Sequence, residues 1–134
     1  MTDSMRDYQR TKVGKYILPR EVYHQTIWII RDYYRLKEEA EAILHESPGP
    51  SDGQPHGMNG ISDPNAAKAI RRERLIAKTD AIDKALACLP AEYRAGVWQN
   101  IMYYNPFPVD SARSAYGKWK SRFVWEVATR LKLL

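Results

Sequence analysis

The chain has 134 residues, a formal net charge of +5 and one cysteine, Cys88. That length buries a real core without staples, and a lone cysteine excludes an intrachain disulfide, so a reducing, cytoplasmic setting is expected. No stretch approaches the ~18 uninterrupted apolar residues of a membrane span, and charges run through the first twenty residues, so no signal peptide is expected there.

Charge is unevenly placed. Residues 1–20 carry five cations against two carboxylates, and residues 111–134 six against one. The segment from 21 to 46 is acidic, with "KEEAE" at 37–41. A polarised surface follows, compatible with a nucleic-acid partner.

Residues 1–17 are polar, lack an apolar period and predict a mobile basic arm. Pro19 suits the first turn of a helix. From there Val22, Thr26, Ile29, Tyr33, Leu36, Ala40 and Ile43 recur at steps of four and three. That spacing predicts one amphipathic helix of about seven turns. "HESPGPSDGQPHGMNGISDPN" (45–65) predicts a flexible loop. A second helix then carries Leu75, Thr79, Ile82, Leu86 and Leu89 at the same steps. Two such stripes predict an antiparallel helical hairpin over 18–89. Pro90 separates it from a third helix, "AEYRAGVWQNIMYY", with Val97, Ile101 and Tyr104 on one face and Trp98 beside it. "NPFPVD" (105–110) breaks the chain before a fourth helix that runs to about Leu131. The expected fold class is all-α: a long antiparallel hairpin followed by a C-terminal helical pair over 90–134, packed as one unit.

No catalytic constellation stands in the chain. His24, His45 and His56 lack metal-ligand spacing, and one cysteine cannot build a zinc site. The glycines at 49, 53, 57 and 60 lack the Gly-Lys-Ser/Thr ending of a phosphate loop. Glu38, Glu39 and Glu41 suit a solvated helix face. No enzyme, cofactor or metal is expected.

On a helix at ~100° per residue, Tyr116, Trp119, Phe123, Val127 and Leu131 share an arc, with Val124 at its edge. This arc predicts core. The opposite arc holds Ser114, Lys118, Ser121, Arg122 and Trp125. Hydroxyls and long cations suit phosphates and base edges, and equally suit any solvated face. Trp125 points either to a second contact surface or to packing under the N-terminal arm or the first helix. A second basic patch, Arg71, Arg72, Arg74 and Lys78, opposes the dipole at its helix start. An acidic partner, or the acidic first helix alongside, would compensate.

"LPAEYRAGVWQNI" is similar to the opening of region four of sigma factors, and "SARSAYGKWKSRFVWEVATRL" resembles the recognition helix of that region. From "YILPREVY" onward the chain resembles small phage and prophage proteins grouped with the RinA/ArpU-type late transcriptional regulators. The resemblance implies a DNA-binding regulator acting in a bacterial host cell, with Ser114, Lys118, Ser121 and Arg122 on the reading face. Double-stranded DNA is the implied partner, with host RNA polymerase and a homo-oligomer as further ones and no membrane. The chain departs from the pattern at "NPFPVD", where a helix-turn-helix carries a further helix of about seven or eight residues. The rival expectation is a non-catalytic helical interaction or assembly protein of phage origin, or a terminase-like small packaging subunit.

Overall fold

The computed structural model describes Gln9 and residues 15–46, 64–108 and 113–134. The fold is all-α, built from α1 (Arg20–Arg31), α2 (Tyr33–Leu44), α3 (Pro64–Ala87), α4 (Ala91–Tyr103) and α5 (Arg113–Arg130). No strand occurs among the described residues, and none of their helices is long and apolar enough to cross a membrane. The predicted loop lies almost wholly in 47–63, outside the described residues.

The seven-turn helix is a correction: it divides at Asp32. The Asp32 N–H is shared between the carbonyls of Trp28 and Ile29, and its carboxylate takes the Arg35 guanidinium, Nε at 2.7 Å, rather than a backbone N–H. That pair holds the Asp32 carboxyl below its ordinary value. The division lets the two halves face different neighbours. α1 packs mainly on α5 and α4, whereas α2 packs on α3. The stripe also shifts by one position in α1. Tyr23, Thr26, Ile27 and Ile30 are buried there, and Val22 and Ile29 lie at the edge.

Arg31 fixes the division in place. Its Nε donates to the carbonyl of Ile101 at 2.8 Å, and its guanidinium lies 4.4 Å from the centroid of the Tyr104 ring. Ile101 is in the last turn of α4, where carbonyls lack intrahelical donors. A cation there also complements the helix dipole. Tyr104 ends α4 in the left-handed region at φ 60°, its N–H bonded to the Asn100 carbonyl. Glycine usually takes such a cap; here the ring supplies the platform for Arg31. Arg31→Ala is expected to cost about 1–2 kcal/mol, from a charged hydrogen bond and a cation–π contact. Thermal or urea unfolding measures it, and a loss within ~0.3 kcal/mol would remove Arg31 from this role.

α2 and α3 run antiparallel. Tyr33 donates to Asp83 at 2.6 Å, Arg72 to the Ala40 carbonyl at 3.3 Å, and Arg71 to Glu46 at 3.0 Å. Leu36, Ala40 and Ile43 are buried on that seam. The main core lies at the other end of α3 and crosses the boundary at Pro90. Ile27 and Ile30 of α1, Ile82 and Ala85 of α3, Val97 and Ile101 of α4, and Phe123, Val124 and Val127 of α5 form one cluster with Leu18 and Leu89. The buried hydroxyls of Thr26 and Thr79 donate within their own helices, to Val22 and Ile76.

The described start of the connection after α4, residues 104–108, is packed against the body. Phe107 is buried and stacks on Tyr116 at 5.1 Å, and Tyr93 meets Tyr116 edge-on at 4.9 Å. Asn100 ties this corner, donating to the Asn105 carbonyl and accepting from Lys120 at 2.7 Å. α5 closes with Lys132 at φ 59° and bonds from Lys132 to Thr129 and from Leu133 to Ala128. That is a Schellman ending, with Leu133 returned to the core.

Candidate nucleic-acid interface

At ~100° per residue, Lys118, Ser121, Arg122, Trp125 and Thr129 share the arc of α5 opposite buried Phe123 and Val127. Lys118 and Thr129 are exposed, and Ser121, Arg122 and Trp125 are partly buried. The backbone of Ser114 belongs to α5, but its side chain lies outside the described residues. The predicted core arc holds, with Ala128 added and with Trp119 and Leu131 at its margin.

Two of the predicted reading residues have intramolecular partners. Arg122 Nε donates to Glu126 at 3.0 Å, and Arg130 approaches the other oxygen of the same carboxylate at 3.5 Å. The Glu126 side chain is only 13% exposed. Its hydrogen bond is the main cause that pushes the Arg122 guanidinium above its ordinary value, against the opposing effect of burial. The Tyr16 ring lies 4.8 Å from the Arg122 guanidinium carbon and meets Trp125 edge-on, with ring centroids 5.0 Å apart. Trp125 therefore packs under the N-terminal segment.

The described part of the predicted arm is anchored. The Gln9 amide donates to the Leu18 carbonyl at 2.9 Å and accepts from the Leu18 N–H at 3.0 Å, while Leu18 is itself buried. Residues 1–8 and 10–14 lie outside the described residues. Sequence reasoning missed Gln9, Tyr16 and Glu126 as parts of this surface. "YIL" at 16–18, an apolar run in a polar arm, was the available signal. The structure thus brings Tyr16, with Lys15 beside it, onto Arg122 and Trp125 of α5, and Lys118, Arg130 and Lys132 are exposed on and after that helix. Lys120 instead serves the corner at Asn100.

The comparisons give no relative. No family model, curated protein or solved structure matches the chain. The site is thus read from its own geometry.

Part of the second basic patch is tied to α2. Arg71 and Lys68 pair with Glu46 at 3.0 and 3.2 Å, and Arg72 bonds the Ala40 carbonyl. Arg74 and Lys78 are exposed on the same side of α3 as Arg71, at helical steps of three and four. The acidic end of α2 alongside explains cations that oppose the dipole of α3. Among the described residues no group of three His, Cys, Asp or Glu side chains is placed to hold a metal. A separate aromatic surface lies at the α1–α2 junction. Trp98 donates to the Tyr34 hydroxyl at 3.3 Å and meets the Tyr33 ring at 5.1 Å. Tyr34 is 49% exposed and Trp28 69%.

Proposed function

We propose that the protein binds double-stranded DNA without catalysis, through the outer face of α5 and the N-terminal segment against it. The observation that carries this reading is the contact of the N-terminal segment with the outer face of α5, where Tyr16 meets Arg122 and Trp125. Outside residues 1–20 and 111–134 the chain carries ten cations against thirteen carboxylates, so the net positive charge of the sequence lies in those two stretches. A late-gene regulatory role in a bacterial host, with RNA polymerase as a further partner, rests on the resemblance of residues 85–134 to region four of sigma factors.

The chemistry is phosphate neutralisation. Arg122 is bonded to Glu126 and stacked on Tyr16, and Arg130 pairs with the same carboxylate, so the exposed cations Lys15, Lys118 and Lys132 make the first contacts. Three phosphate contacts give a slope of log K on log salt of about −2.7. Affinity for random duplex DNA is therefore expected to fall about fortyfold between ~50 and ~200 mM salt. Lys118→Ala is expected to flatten the slope by about 0.9, with thermal unfolding unchanged. Fluorescence anisotropy measures both. Binding indifferent to salt, or undetectable at ~50 mM salt both with Tyr16 in place and with it replaced by alanine, would overturn the reading.

The exposed aromatics Trp28 and Tyr34 favour a second reading, a helical interaction or assembly protein. Aromatic side chains are enriched in protein interfaces. Sedimentation equilibrium separates the two, since a monomer throughout the micromolar range speaks against self-assembly.

A further inference from the structure

We infer that the Tyr16 ring, carried by the Lys15–Pro19 segment, is a built-in competitor of DNA for the middle of the outer face of α5, while the Lys15 charge beside it remains a DNA contact. The inference rests on the DNA-binding reading above and adds its regulation. Along α5 the face runs from Lys118 through Ser121, Arg122 and Trp125 to Thr129. Tyr16 stands over its middle, on Arg122 and Trp125. A duplex laid along the whole face meets that ring before it meets either residue.

The segment is held in a way that permits release. Leu18 is buried and forms the pivot, and the two bonds from the Gln9 amide brace its main chain. Tyr16, beyond the pivot, is only partly buried. Its described contacts with α5 are one aromatic edge and one cation–π stack, each modest at a surface. Lifting Tyr16 uncovers Trp125 and frees one plane of the Arg122 guanidinium, while Leu18 stays in the core. Apparent affinity is then set by the fraction of molecules with the segment lifted.

The test uses the full chain and a fluorescein-labelled random-sequence DNA duplex, followed by anisotropy at ~50 mM salt. Tyr16→Ala removes the ring and leaves every charge in place, Lys15 included. It is expected to bind about five- to tenfold more tightly than the wild type. Gln9→Ala loosens the brace without touching the face and is expected to bind more tightly by a smaller factor. Thermal unfolding checks that each variant folds; if Tyr16→Ala does not, Gln9→Ala decides. Equal or weaker binding by the deciding variant, with the wild type still binding, overturns the competitor and leaves the DNA reading standing. No binding by the wild type or by either variant overturns both. Binding by the variants alone supports both, with the face fully masked in the wild type.

Discussion

Phe123→Ala is expected to remove about 3–5 kcal/mol of folding stability. Phe123 is the largest fully buried side chain among the described residues, with no exposed surface. It stands where α5 meets the Ile27, Ile82 and Val97 cluster from α1, α3 and α4, with the Trp98 ring 6.4 Å away. Alanine there loses the transfer free energy of the ring and leaves a cavity that three rigid helices cannot close. A domain of this size holds about 5–15 kcal/mol in all, so the variant keeps a reduced margin. The melting temperature should fall by about 10–20 °C. Calorimetry measures it, and a loss below ~1 kcal/mol would show that α5 is not the wall on which the core is built. Trp119→Ala, at the margin of the same helix, is expected to cost less.

The all-α class and the inner arc of α5 were legible because they depend on spacing alone. Phe123 and Val127 recur at the helical period, and no neighbour is needed to predict their burial. The first helix shows where spacing runs out. Val22, Ile29 and Tyr33 fit a stripe continuous with Leu36, Ala40 and Ile43, yet the chain divides at Asp32. No proline or glycine marks that point. The division is held by a tertiary partner, Arg31 on Ile101 and Tyr104, far away in sequence, while the local Asp32–Arg35 pair is one that an uninterrupted helix could also make. The outer face of α5 was legible as a face but not in its state. Lys118, Ser121, Arg122 and Trp125 share an arc as read, while the Tyr16 ring over two of them comes from more than a hundred residues away. The same holds for "NPFPVD". Two prolines signal a break, but the burial of Phe107 between them depends on where Tyr116 stands.

Gly96→Ala tests packing against propensity at the seam that presents α5. Gly96 lies inside α4, where helix propensity alone predicts a gain of about 1 kcal/mol for alanine. The structure predicts the opposite sign. A Cβ at Gly96 would sit 2.4 Å from Cε1 of Tyr116. That ring is buried, stacked on Phe107 at 5.1 Å, and met by Tyr93 at 4.9 Å. It has nowhere to retreat, so either α4 and α5 separate or Tyr116 leaves its rotamer. Overpacking of this kind costs about 1–3 kcal/mol, and Gly96→Val is expected to exceed Gly96→Ala. Gly117 on α5 supplies the control, because a Cβ there meets nothing within 4 Å. Gly117→Ala should therefore stabilise by about 0.5–1 kcal/mol through propensity alone. Urea unfolding of the two variants should give opposite signs. A gain at both positions would mean that the α4–α5 seam is loose around Tyr116, and the outer face of α5 would then lose the rigid support that holds Lys118 and Arg122 in register.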